Sequence, residues 1–125
     1  MINTLILGDS IRYIGNSAFY NCNRISGVIT LPKRLSYVSD YSFYNCTLLS
    51  GIELGNNIVS IGNCSFKSCI NLVGDLAIPN SVTSIGNSAF ENCGSLTSIT
   101  IPESVTSIGE KAFYGCSGLT GSLTI

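Results

Sequence analysis

Hydrophobic positions in this chain recur on two scales. Over a few residues they alternate with polar ones, as in Ile99-Thr100-Ile101 and Val105-Thr106-Ser107-Ile108, the period-two signature of half-buried β-strands. Over a longer span the whole pattern returns. The five Phe stand at 19, 43, 66, 90 and 113, and a Cys follows each three residues later, at 22, 46, 69, 93 and 116. Both columns step by 24, 23, 24 and 23 residues. An aliphatic column runs through Ile14, Val38, Ile61, Ile85 and Ile108, followed by Gly15, Ser39, Gly62, Gly86 and Gly109. A small residue, Ala18, Ser42, Ser65, Ala89 or Ala112, precedes each Phe. A fixed period of this length predicts a stack of like coils.

Each unit divides into two short strands and a turn. Pro32, Pro79 and Pro102, with Gly8 and Gly55 in the same column, force a corner between the strands. The segment Gly-x-x-Ala-Phe-x-x-Cys that follows is too short for a free-standing helix and suits one helical or 3₁₀ turn, with Asn21, Asn45 and Asn92 placed to take a left-handed conformation. Two dozen residues cannot close a core alone, but stacking lays Phe on Phe and Cys on Cys. The unequal steps have a local origin. From Ile25, Leu49, Leu72, Leu96 and Leu119 to the next core aliphatic the spacing is four, three, four, three and four, so alternate units carry one extra residue just before a strand.

The unit Pro-x-Ser-Val-Thr-Ser-Ile-Gly-x-x-Ala-Phe-x-x-Cys-x-x-Leu-Thr-Ser-Ile-x-Ile resembles the BspA-like, or Treponema-type, leucine-rich repeat, from about Thr4 to Ile125. Ser39 for Gly, Gly55 for Pro, and Arg24-Ile25 for a small residue and Leu are the departures. The resemblance implies a leucine-rich-repeat solenoid, α/β-type or mainly β and right-handed. It would hold about five repeats of 23–24 residues, with a parallel sheet on the concave face and short turns or 3₁₀ pieces elsewhere. Residues 1–125 read as a single such domain and, with no capping unit in sight, as a piece of a longer array. The family also implies a surface or secreted adhesion-type molecule that recognises host or matrix proteins. The rival is an architectural spacer or an intracellular interaction scaffold. The uncapped ends suggest end-to-end self-association, which light scattering from a strict monomer at high micromolar concentration would reject.

Composition removes other functions. The 125 residues are 45% hydrophobic and 10% charged, too apolar for disorder. Six Lys+Arg against seven Asp+Glu, scattered singly, offer nucleic acid no basic stripe. No His is present, which removes the commonest general base and metal ligand. Neither an N-terminal signal peptide nor an apolar run of membrane-spanning length is visible, so membrane insertion is not expected and a surface location rests on the resemblance alone.

Six Cys raise the question of disulfides or metal. Five are column residues and read best as buried thiols packed beside Phe; cross-rung disulfides are the smaller alternative, and a metal site would need ligands that converge rather than lie on a line. Cys64 occupies the place of Ser17, Tyr41, Ser88 and Lys111 and should point outward. No base or column of cations stands beside it in the sequence, so it reads as a surface thiol, not a nucleophile. The sequons Asn45-Cys46-Thr47 and Asn63-Cys64-Ser65 look accidental, being built from structural positions. Of the carboxylates, Glu53 and Asp75 come closest to forming a pair, on adjacent rungs, and a solvated face is their plainer reading. With no nucleophile, base or phosphate loop, the chain reads as a non-enzymatic protein needing no cofactor.

A partner must then meet outward positions. Those of the first strand row run from Thr4 to Thr124 and are small, neutral and mostly hydroxylic. The start of the second row is richer, where Arg12-Tyr13 and Ser36-Tyr37 stack with Lys33 and Arg34 alongside. Tyr20, Tyr41 and Tyr44 add aromatic surface, so five of six Tyr and four of six basic residues precede residue 47. The candidate contact residues are Arg12, Tyr13, Thr30, Lys33, Tyr37, Glu53 and Asp75.

Overall fold

The structure, a computed structural model, describes residues 5–119 and the backbone of Leu123 and Thr124. Thr4, Ser122 and the side chain of Thr124 lie outside these. Nine short strands follow in order: β1 (Gly27–Thr30), β2 (Tyr37–Val38), β3 (Leu49–Glu53), β4 (Ser60–Ile61), β5 (Gly74–Ala77), β6 (Ser84–Ile85), β7 (Leu96–Thr100), β8 (Ser107–Ile108) and β9 (Leu123–Thr124). Every pairing is parallel and joins a strand to its counterpart one coil on. The chain is therefore a β-solenoid of parallel rungs. The second row, β2-β4-β6-β8, is continuous; the first is split into β1-β3 and β5-β7-β9.

The extra residue of alternate units is absorbed in the first row. Gly27 and Gly74 take φ of +82° and +80°, and the register slips beside them. Gly27 faces Leu49 while Val28 faces Gly51, and Gly74 faces Leu96 while Asp75 faces Ser98. This bulge keeps the aliphatic residues aligned, so Ile29 still faces Ile52 and Leu76 still faces Ile99.

The turn is neither helical nor 3₁₀: no helix occurs among the described residues. Two residues per coil adopt left-handed φ instead, Ser17 and Asn21, Tyr41 and Asn45, Cys64 and Ser68, Ser88 and Asn92, Lys111 and Gly115. Successive N–H groups then alternate between partners. Those of Ala18, Tyr20 and Cys22 donate within the coil to Gly15, Ser17 and Phe19 at 3.1–3.2 Å. Those of Ser17, Phe19 and Asn21 donate to Asp40, Ser42 and Tyr44 of the next coil at 2.8–2.9 Å. A helix would turn all its donors along its own axis; the left-handed residues send every second one to the neighbouring coil. Three inter-coil bonds offset the roughly 1–2 kcal/mol that each non-glycine left-handed residue costs.

Inside the turn the Phe rings form one stack, with centroids 5.3, 5.3, 5.3 and 5.6 Å apart and interplanar angles of 14° or less. Phe43, Phe66 and Phe90 are fully buried, each stabilising by about 1.5–3 kcal/mol. Four of the five column Cys are buried thiols with a further role, and Cys22, in the first coil, is only partly buried. Cys46, Cys69, Cys93 and Cys116 each donate Sγ–H to the carbonyl of the Phe one coil back, at 3.1–3.2 Å. All six Cys are free. The glycine column is set by contact between coils. A Cβ on Gly62 would lie 2.6 Å from the Val38 carbonyl oxygen, and one on Gly86 2.7 Å from the Asn63 nitrogen.

Four buried hydroxyls break the pattern of satisfied groups, those of Ser42, Ser65, Ser81 and Ser104. Ser42 and Ser65 replace Ala in the column beside Phe, are wholly buried, and their Oγ atoms have no hydrogen-bond partner. Each pays desolvation without a return bond. Ser42→Ala and Ser65→Ala should each raise stability by about 1 kcal/mol or more, and Phe66→Ala should lower it by about 3–5 kcal/mol. Denaturant midpoints check both; a serine variant less stable than the parent would refute the first.

Candidate recognition surface

The seven candidate residues fall into two patches. On the first row the Thr30 hydroxyl donates to Glu53 Oε1 at 3.0 Å, joining two of them across adjacent coils. Asp75 lies one coil beyond and accepts from Ser98 Oγ at 2.6 Å. The two carboxylates do not form a pair. Glu53 leans toward the coil before it and Asp75 toward the coil after it, and the break in the sheet falls between their strands.

Of the other four, Lys33 and Tyr37 lie on the second row and its corner, and Arg12 and Tyr13 hold the corresponding places one coil back, outside any strand. Tyr13 and Tyr37 are exposed, at 71% and 57% of their surface. They do not stack. The Tyr13 ring covers Gly15, reaching within 3.7 Å of where a Cβ would stand, and no ring contact links it to Tyr37. Tyr37 opens β2. Arg12 and Lys33 are exposed, and the Lys33 carbonyl accepts from Asn57 Nδ2 at 2.6 Å. No hydrogen bond, ion pair or ring contact joins the two patches.

A third set of side chains lies on the turns, where two outward columns three residues apart stand next to each other. Tyr20 and Tyr44 stack at 4.8 Å and 8°. Tyr41 is tilted against both, at 6.3 and 5.6 Å. Asn45 Nδ2 donates to Asn21 Oδ1 at 3.0 Å alongside. Cys64 is only half exposed, and its hydrogen bond to Tyr41 pushes that phenol's pKa up. Further along, Lys67 reaches Glu91 at 3.5 Å, while a hydrogen bond from Ser88 and the charge of Lys67 hold the Glu91 carboxyl below its usual range. Lys111 lies over the Tyr114 ring at 5.5 Å. The contiguity of the tyrosines was legible in principle: Tyr20 and Tyr44 are one period apart, and Tyr41 lies three residues before Tyr44. What was not visible is the left-handed turn that aims both columns the same way.

Burial controls the thiols. It pushes Cys46 to about 11 and Cys69 to about 12, and it raises Cys93 and Cys116 as well. Both sequons contain a buried residue, Cys46 or Ser65. Among the described residues no three His, Cys, Asp or Glu converge to hold a metal ion.

One family model matches this stack of rungs with an Ile-Gly corner and a Phe-x-x-Cys turn. The BspA-type leucine-rich repeat region matches residues 1–120 in six copies. The chain belongs to this family. Solved structures agree. A Treponema pallidum leucine-rich repeat protein is 31% identical with a TM-score of 0.88 over 97% of this chain. A Bacteroides ovatus leucine-rich repeat protein is 35% identical with a TM-score of 0.81 over 91%. A leucine-rich cell surface protein of Faecalibacterium prausnitzii is 29% identical with a TM-score of 0.89 over 98%. The chain spans 57% of the first of these, 28% of the second and 32% of the third. No curated protein sequence matches it.

In this BspA-type chain the thiols should separate by burial. A thiol reagent at pH 8 should modify Cys64 and spare Cys46, Cys69 and Cys93 until the protein unfolds, as mass spectrometry of labelled peptides would show. Their folded pKa values lie above the unfolded ones. Stability is therefore complete below the ionisation of a free thiol, near pH ~8.5, and declines as pH rises toward 11 and 12. Cys69→Ala should flatten that alkaline decline.

Proposed function

We propose that this repeat module is a non-enzymatic recognition element of a surface or secreted leucine-rich repeat protein, binding a host or matrix protein. The observation that carries the proposal is the division of side chains. Phe, Cys, Ile and Gly columns are consumed by contact between coils, whereas Tyr13 and Tyr37 stand out into solvent with basic residues beside them. Exposed Tyr and Arg are the residue types that supply most binding energy at protein interfaces. Family membership supports the reading, and the F. prausnitzii relative is described as a cell surface protein. Arg12, Tyr13, Lys33 and Tyr37 would form one contact patch, and Thr30, Glu53 and Asp75 on the concave sheet a second.

The near-consensus units after Pro79, which carry mostly Ser and Thr outward, favour a spacer role for that half. Surface binding to a panel of matrix proteins separates the two roles. Tyr13→Ala or Tyr37→Ala should weaken binding about tenfold or more without moving the unfolding midpoint. Absence of binding to any matrix protein, or binding that ignores both tyrosines, would leave the spacer.

A further inference from the structure

The first-row sheet opens at one place among the described residues. Between β3 and β5 the Val73 N–H still reaches the Ser50 carbonyl at 3.1 Å, and then the strands part. Leu31 donates to Glu53 O at 2.9 Å and Ile78 to Thr100 O at 3.3 Å; the corresponding bond from Leu54 to Ala77 is not made. The core is open at the same point. Ile52 is only half-buried, although Ile29, Leu76 and Ile99 in its column are closed off. Gly55, with φ of +74°, turns the chain out of β3 where β1, β5 and β7 are followed by Pro. A ring-locked φ near about −65° cannot take that path. The result is a wedge of about 350 Å³ lined by Ile52, Glu53, Leu54, Asp75, Ala77 and Pro79.

Charge names the guest. The outward strand positions from Val28 to Thr100 hold two acidic side chains, Glu53 and Asp75, one on each lip of the wedge. No ion pair engages either; the salt bridge among the described residues is Lys67–Glu91, on the turns. Thr30 and Ser98 anchor one oxygen of each carboxylate from opposite sides, leaving the second oxygen of each without a partner. The walls between them combine Ile52, Leu54, Ala77 and Pro79 with the polar Asn56.

We propose that this wedge seats one arginine side chain from an extended segment of a protein partner. The alkyl stem packs on Ile52 and Pro79, and the guanidinium lies between Glu53 and Asp75. Arginine fits better than lysine because its five planar donors serve two separated carboxylates at once. A lone exposed ion pair contributes little. Here both acceptors are already oriented by hydroxyls and the stem covers the half-open Ile52. The proposal rests on the protein-recognition reading above and assigns that partner's chemistry at the concave face.

The test is a titration of ¹⁵N-labelled protein with acetyl-Gly-Arg-Gly-amide, and with the same peptide carrying citrulline, which keeps the shape and removes the charge. Amide shifts at Glu53, Leu54, Asp75 and Ala77 with arginine, and none with citrulline, are expected. E53Q/D75N should weaken binding about tenfold. Gly55→Pro, which keeps both acids and restores the corner of the other coils, should do the same. Scattered shifts, equal response to citrulline, or unaltered affinity in E53Q/D75N would overturn the proposal. The matrix-protein assay fails separately. Matrix binding that persists in E53Q/D75N rejects the wedge and keeps the recognition reading; a wedge that binds arginine in a chain that binds no matrix protein rejects the recognition reading.

Discussion

The Phe stack sets the step that every other part of the molecule obeys. Rings spaced about 5.3 Å apart require each coil to return the chain to the same point one strand spacing further on. Only then do the two strand rows pair in parallel. Only then do the turn amides meet the carbonyls of the following coil. The glycine column answers to the same step, since at Gly62 and Gly86 the neighbouring backbone leaves no room for a Cβ. The cysteines add to it by tying each turn to the Phe carbonyl behind.

Because the inside is fixed in this way, variation collects outside and does so unevenly. The concave face is hydroxylic with two acids, the second-row patch is aromatic and basic, and the turns carry three tyrosines followed by an ion pair. Each is built from positions that share a column, so one substitution changes one rung and leaves the next untouched. That separability is why surface variants can be read as binding effects, whereas Phe66→Ala would report on the fold.

Much of the fold was legible because packing repeats write themselves as spacing. The Phe, Cys, small-residue and aliphatic columns and the alternating insertion all correspond to observed contacts or to the bulge at Gly27 and Gly74. The turn was legible by half. Asn21, Asn45 and Asn92 signalled left-handed backbone, but Ser17, Tyr41, Cys64 and Lys111 are not residues that signal it, so a helical turn was the natural expectation. At the surface, Glu53 and Asp75 were placed on adjacent rungs correctly, yet the hydroxyls that draw them apart lie on the far sides of each. The split between β3 and β5 had a sequence trace in Gly55 for Pro, whose effect depends on strand pairing that spacing does not encode. The stacking of Tyr13 on Tyr37 failed because ring direction follows local backbone, and the Tyr13 ring turns onto its own Gly15.

The turn ladder also gives the stack a direction. Ser17, Phe19 and Asn21 all donate forward to the following coil, whereas bonds bracketing the second row, such as Gly62 N–H to Val38 O, run backward. The strand rows carry bonds in both directions, as parallel pairing requires, so the directional bias of the stack belongs to the turns. A coil that follows another must offer carbonyl acceptors to the turn amides. Coils within the chain therefore repeat head to tail, each turn donating to the coil after it and accepting from the coil before it.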